Sequence, residues 1–152
     1  MDNLVVSIGC DHKGFEHKCE IIKHLEEKGI KVLDFGTNGT SSVDYPDHAK
    51  GVCKAVQKGD ASFGILICYT GIGMSIVANK YKGIRASLVG SIENAILTRA
   101  HNNANVLCMG AKDTPINLAL EIVDAFLSEN FEGGRHIGRV DKIKEVEVNE
   151  ER

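Results

Sequence analysis

Tryptophan is absent, and aromatic residues make up only 5% of the 152-residue chain. That leaves too few rings to form a stacking platform for nucleobases. No apolar stretch approaches the roughly 20 residues that a membrane-spanning helix needs. No basic run is longer than a pair and the formal net charge is −3, so neither nucleic acid nor an anionic membrane is the expected partner. The five cysteines (Cys10, Cys19, Cys53, Cys68 and Cys108) are odd in number and form no CxxC pair. Both facts disfavour a disulfide framework or a zinc knuckle and fit reduced thiols in a reducing cytosol. The sequence enters Leu4-Val5-Val6 with no basic stretch or cleavage signature before it, so a cytoplasmic location is expected. No metal-ligand motif is visible, and neither a metal nor a cofactor is expected.

What is present is the length of one ordinary domain, residues 1–152, able to bury a core without staples. Short β-branched runs alternate with longer amphipathic stretches. Leu4–Gly9, Lys31–Phe35, Phe63–Cys68, Arg85–Val89 and Val106–Met109 are predicted strands. Helices are predicted at Gly14–Lys28, Asp47–Lys58, Gly73–Tyr81, Ile92–His101 and Pro115–Ser128, the last with Thr114 as cap. A charged C-terminal helix is predicted at about 135–148. In the first helix Phe15, Cys19, Ile22 and Leu25 are the expected inward stripe; His17, His24 and His48 are expected in solvent. Five strands separated by helices give an α/β fold of three layers. It is a flavodoxin-like or Rossmann-like parallel sheet with expected order 2-1-3-4-5 and helices on both faces.

Ligands of such sheets bind beyond the carboxyl ends of the strands, at the switch point between strands one and three. That rule gathers Cys10-Asp11-His12, Asp44-Tyr45 and Cys68–Ser75 into one crevice. The segment Cys68-Tyr69-Thr70-Gly71-Ile72-Gly73 leaves a buried strand and opens a helix, so its amides can converge on an anion. Glycines after a strand also serve as plain turns. The segment is neither a P-loop nor a dinucleotide fingerprint. Cys68 stands beside those amides, which would lower a thiol pKa and make a thiolate base accessible; the other reading is a small buried hydrophobe. Asp11 and His12 suit proton relay or phosphate contacts, or simple capping of the next helix. His101 and Asn102 end a helix, where a histidine often only complements the dipole. Arg135 and Arg139 are spaced i, i+4 after Gly133-Gly134 and can face one phosphate or lie in solvent.

Several segments occur together and in order: Gly9-Cys10-Asp11-His12, Asp44-Tyr45-Pro46, Ile65–Ser75, Ala78-Asn79-Lys80, Gly83-Ile84-Arg85-Ala86, His101–Val106 and Glu132-Gly133-Gly134-Arg135-His136. In this the chain resembles the type B ribose-5-phosphate isomerases over roughly residues 4–146. The wider family includes allose-6-phosphate and galactose-6-phosphate isomerases. The resemblance implies metal-free aldose–ketose isomerisation of ribose 5-phosphate and ribulose 5-phosphate through a cis-enediol(ate). It implies Cys68 as the base, with Thr70 and the amides of Gly71, Ile72 and Gly73 holding the enediolate. His101 would open the sugar ring, Asp11 would contact sugar hydroxyls and help move the hydroxyl proton, and Asn102 would contact the sugar. His12, Arg135 and Arg139 would hold the phosphate. It further implies a homodimer or dimer of dimers with shared sites, in which His101, Asn102 and Lys112 come from the neighbouring chain.

Two residues depart from the family pattern. Tyr69 stands where glycine is usual; a phenol beside the base, it narrows the pocket, reshapes the loop or points away. Lys112 stands where arginine is common, which keeps the charge but loses the planar fork. The competing expectations are an isomerase of a four- or six-carbon sugar phosphate, and a non-catalytic sugar-phosphate-binding protein on the same fold.

Overall fold

The computed structural model describes residues 3–151. Five strands alternate with six helices: β1 Val5–Cys10, α1 Phe15–Glu27, β2 Lys31–Asp34, α2 Tyr45–Lys58, β3 Phe63–Cys68, α3 Ile72–Ala78, β4 Ala86–Leu88, α4 Ile92–Asn102, β5 Val106–Gly110, α5 Ile116–Ser128 and α6 Arg135–Asn149. A 3-10 turn, His12–Gly14, leads from β1 into α1. All strand pairs are parallel, and the order is β2-β1-β3-β5-β4.

The expected order 2-1-3-4-5 is therefore corrected at one edge, where β4 and β5 exchange places. The physical reason lies in their side chains. β5 (Val-Leu-Cys-Met-Gly) is buried at every position, as a strand covered on both faces must be. β4 has three residues, none fully buried, and its polar Ser87 and exposed Leu88 suit an edge.

Strand alternation divides the core into two layers. Val6, Ile8, Cys10, Ile65, Ile67, Leu107 and Met109 pack with Ile21 and Leu25 of α1 and with Ile122 and Phe126 of α5. Leu66, Cys68, Val106 and Cys108 point the other way, onto Val52 and Cys53 of α2 and Met74 and Ala78 of α3. Each fully buried aliphatic side chain contributes about 1.5–3 kcal/mol of transfer free energy, so these layers hold the strand ends in place.

Helix α1 is turned from its expected face. Its buried residues are His17, Lys18, Ile21 and Leu25; Cys19 is exposed, and Phe15 and Ile22 are half-buried. Lys18 reaches both carboxylate oxygens of Asp34 at 2.8 Å and Asn38 Oδ1 at 3.1 Å, so a paired cation occupies the core stripe. Two of the histidines expected in solvent tie α1 to α5 and to the turn before it. His17 Nε2 lies 2.7 Å from the Thr114 carbonyl, and His24 Nε2 lies 2.8 Å from Asp124. Thr114 is not the cap of α5; Pro115 holds that position. No helix among the described residues is long and apolar enough to cross a membrane.

Candidate active site

The first group of site residues forms at the carboxyl ends of β1, β3 and β5. After β3 the chain turns through Gly71, whose φ of +80° is a left-handed conformation open to glycine. A Cβ there would stand 2.7 Å from the carbonyl carbon of Met109 on β5. The turn brings the Gly71 N–H to 3.2 Å from Cys68 Sγ, so the sulfur accepts a backbone hydrogen bond. The Ile72 N–H donates to Thr70 Oγ1 at 3.2 Å. Two of the three amides expected to face substrate are thus turned within the loop, onto the sulfur and the threonine hydroxyl.

Asp11 caps the 3-10 turn: Oδ1 accepts from the amides of Lys13 at 2.9 Å and Gly14 at 3.2 Å. The capping reading is therefore correct for that oxygen. His12 Nδ1 accepts the Val43 N–H at 3.2 Å, which leaves the ring hydrogen on Nε2, available as a donor. Tyr45 opens α2, and a Cβ at Gly73 would lie 2.6 Å from its ring, so glycine is what lets the phenol lie against the loop. The Tyr69 ring is half-exposed, and Lys13 Nζ sits 5.6 Å from its centroid, which joins the β3 loop to the turn after β1. Lys112 lies beside this same loop of its own chain, its N–H donating to the Tyr69 carbonyl at 2.9 Å. Its Nζ lies 3.4 Å from Asp113 Oδ1.

The second group forms elsewhere. α4 runs antiparallel to the strands, so His101 and Asn102 at its end lie near the start of β5. Val106 pairs with Gly64, whereas Gly110 pairs with Cys68. Four residues of parallel strand, roughly 13 Å, separate the two edges. Arg135 and Arg139, both exposed on α6, join His101 because the Glu132 N–H donates to the Ala100 carbonyl at 3.0 Å. Within one chain, then, the structure brings Cys68, Thr70, Asp11, His12, Tyr45, Tyr69 and Lys112 together, and it gathers His101, Asn102, Arg135 and Arg139 at the opposite edge.

Sequence reasoning assigned no role to Glu132 and His136, although their i, i+4 spacing in Glu132-Gly133-Gly134-Arg135-His136 was visible. His101 and His136 stack with ring centroids 4.3 Å apart and an interplanar angle of 14°. Glu132 lies between their nitrogens, 3.6 Å from His101 Nε2 and 3.7 Å from His136 Nε2. His136 is 5% exposed, and its Nε2 is buried without a hydrogen-bond partner. Burial pushes this imidazole below its ordinary pKa, with the charges of His101 and Arg135 acting in the same direction.

Comparison with known proteins places the chain in a family. The sequence model of the family described as ribose/galactose isomerase matches residues 6–143. The chain is 47% identical over 142 residues to ribose-5-phosphate isomerase B of Escherichia coli, covering 93% of this chain and 95% of that one. Its fold superposes on the ribose-5-phosphate isomerase B of Clostridium thermocellum with a TM-score of 0.96, at 46% identity over 97% of this chain and 100% of that one. The Mycoplasma genitalium ribose-5-phosphate isomerase B, solved with bound ribulose-5-phosphate, gives a TM-score of 0.91 at 44% identity, covering 95% of this chain and 97% of that one. The chain belongs to the ribose/galactose isomerase family.

Proposed function

We propose that this chain, acting as one domain, interconverts ribose 5-phosphate and ribulose 5-phosphate through an enediolate. It does so in the cytoplasm, without a metal or cofactor, in a site shared between two copies. The observation that carries this reading is the division of the candidate residues between two edges of one sheet. Cys68 and its loop stand at the carboxyl ends of the strands, and His101 and the arginines lie toward the opposite ends. A two-fold dimer that apposes one edge with the other completes two equal sites.

In that site the Cys68 thiolate removes the C2 proton of the open-chain aldose and returns it to C1, while the hydroxyl proton passes from O2 to O1. Thr70 and the Gly73 amide, the one of the three not turned onto Cys68 or Thr70, hold the charge that develops on oxygen, where a preorganised donor acts most strongly. The Gly71 N–H at the sulfur supports a role for Cys68 beyond packing. Asp11 contacts sugar hydroxyls, with Tyr45 and Tyr69 lining the crevice. His12, which presents Nε2–H, holds the phosphate with Arg135 and Arg139 of the second copy. Lys112 adds charge at the crevice. His101 of the second copy opens the furanose ring, and Asn102 contacts the sugar. Binding energy from the remote phosphate orients the reacting carbons.

The names of the relatives support ribose 5-phosphate as substrate. Tyr69 and Lys112 make a four- or six-carbon sugar phosphate the comparison to run, with allose-, galactose- and erythrulose-phosphates assayed beside ribose 5-phosphate. Binding of these compounds without turnover of any would instead identify a sugar-phosphate-binding protein. The shared site is tested by mixing Cys68→Ala and His101→Ala chains under conditions of subunit exchange. Random pairing into two-fold dimers restores about a quarter of wild-type activity; no recovery sinks the shared site. Treatment with EDTA leaves activity in place, and complete loss reversed by a divalent ion would overturn the metal-free chemistry.

A further inference from the structure

We propose that His101, Glu132 and His136 form a binding site for a zinc-class transition-metal ion, and that an ion held there silences the enzyme by taking the His101 imidazole. The inhibitory half rests on His101 serving the isomerase; the binding half does not. Two imidazoles and a carboxylate are a ligand set that zinc accepts, with a fourth position left for water. Zinc–nitrogen and zinc–oxygen bonds near 2 Å put the ligand atoms of a tetrahedral site about 3.3 Å apart. The carboxylate already stands 3.6 Å from one imidazole nitrogen and 3.7 Å from the other. One ligand atom from each of the three residues lies within 4.8 Å of the others, and this is the cluster of that kind found among the described residues. A turn of the half-exposed His101 ring closes the remaining gap.

The second observation is His136 itself. Its Nε2 is buried, faces Glu132 and has no hydrogen-bond partner, which is costly unless something is meant to sit there. The scaffold holds the ligands before any ion arrives. The Glu132 N–H is fixed to Ala100, and the His136 N–H donates to Gly133 at 3.0 Å. Arg99 ties the end of α4 to the Glu129 carbonyl at 3.3 Å and to Ala104 at 2.8 Å. The carbonyls at the end of α4 and the Glu132 charge favour a cation. Arg135 and Arg139 also act on His136 and oppose one, so the site is weaker than the same ligand set without them. Hard ions that prefer all-oxygen shells, such as Mg2+, do not compete.

The test uses the full chain, stripped with EDTA and desalted, and titrates Zn2+ against a chromogenic zinc chelator. Wild type binds one ion per chain, excess Mg2+ does not displace it, and Co2+ gives the visible bands of a four-coordinate centre. Glu132→Gln and His136→Asn each weaken binding at least tenfold, whereas His24→Asn, at the other histidine–carboxylate pair, leaves it unchanged. Glu132 is exposed, so its variant keeps the fold even where His136→Asn does not. Absence of binding in wild type overturns the site, and equal binding in Glu132→Gln overturns it by assigning the ion to thiols or other surface groups. Isomerase activity falls with zinc occupancy and returns with EDTA. Occupancy that leaves activity unchanged or raises it overturns the inhibition, and a chain without isomerase activity on any sugar phosphate sinks the functional reading while the binding result stands.

Discussion

The carboxyl ends of β1 and β3 lie side by side in the sheet, each finishes in a cysteine, and the two sulfurs meet opposite surroundings. Cys10 faces the α1/α5 layer, is fully buried, and aims its thiol at the Thr37 carbonyl 3.9 Å away. Burial pushes its pKa up to about 12. Cys68 faces the α2/α3 layer and receives the Gly71 N–H. The loops explain the difference. After β1 the free amides of Lys13 and Gly14 are taken by the Asp11 carboxylate. After β3 the left-handed Gly71 turns its amide back onto the strand's last side chain. A strand end alone does not bring an N–H to its sulfur; the path of the next three residues decides it.

The sharpest way to break this contrast is to exchange the two thiols in turn. Cys68→Ser lowers kcat by about 10²–10⁴-fold, the range for loss of a positioned proton-transfer group. It leaves KM nearly unchanged, because the phosphate is held by other residues. Cys10→Ala leaves kcat within about threefold and costs about 1 kcal/mol of stability, for its sulfur is packing. Steady-state kinetics and urea midpoints on both variants check this, and equal kinetic losses would end the distinction. Arg135→Ala sits between them, raising KM more than it lowers kcat.

Gly71→Ala attacks the loop instead of the sulfur. A left-handed φ with an added Cβ against Met109 costs about 1–3 kcal/mol. Activity falls with it because the amide leaves the sulfur. Activity at the wild-type level in this variant would separate the turn from catalysis.

A smaller effect is a pH trend. The Cys10 and Cys53 thiols are raised from 9.0 to about 12 by burial. The unfolded chain therefore releases these protons at lower pH than the folded one. Stability from this source is complete below about pH 9 and declines as pH rises toward 12, by about 1.4 kcal/mol per pH unit for each group. Urea midpoints across that window show the slope, and Cys53→Ala makes it shallower.

Much of this was legible in the chain. Apolar runs marked every strand, and the switch-point rule brought Asp11, His12, Tyr45 and Cys68 to one crevice. Strand order was not, because Ala86–Leu88 and Val106–Gly110 read alike as short apolar runs until their burial is known. Lys18 was missed because periodicity counts apolar residues, and only the fold supplies Asp34 and Asn38 to neutralise a buried ammonium. Cys19, the next residue, was placed inside, but the helix turns that face to solvent. The separation of His101 from Cys68 follows from α4 running back along the sheet. The grouping of His101 with Glu132 and His136 depends on a contact across 31 residues that no local spacing reveals.

The central claim is that the Cys68 sulfur moves the C2 proton, and solvent exchange measures this most directly. Sugar phosphate is incubated in deuterated water with wild type and with Cys68→Ser, and deuterium at C2 is followed by NMR. The account predicts ready incorporation with wild type and a rate lower by about 10²–10⁴-fold in the variant, with phosphate-ligand affinity preserved. Incorporation at an undiminished rate in Cys68→Ser would show that another residue is the base.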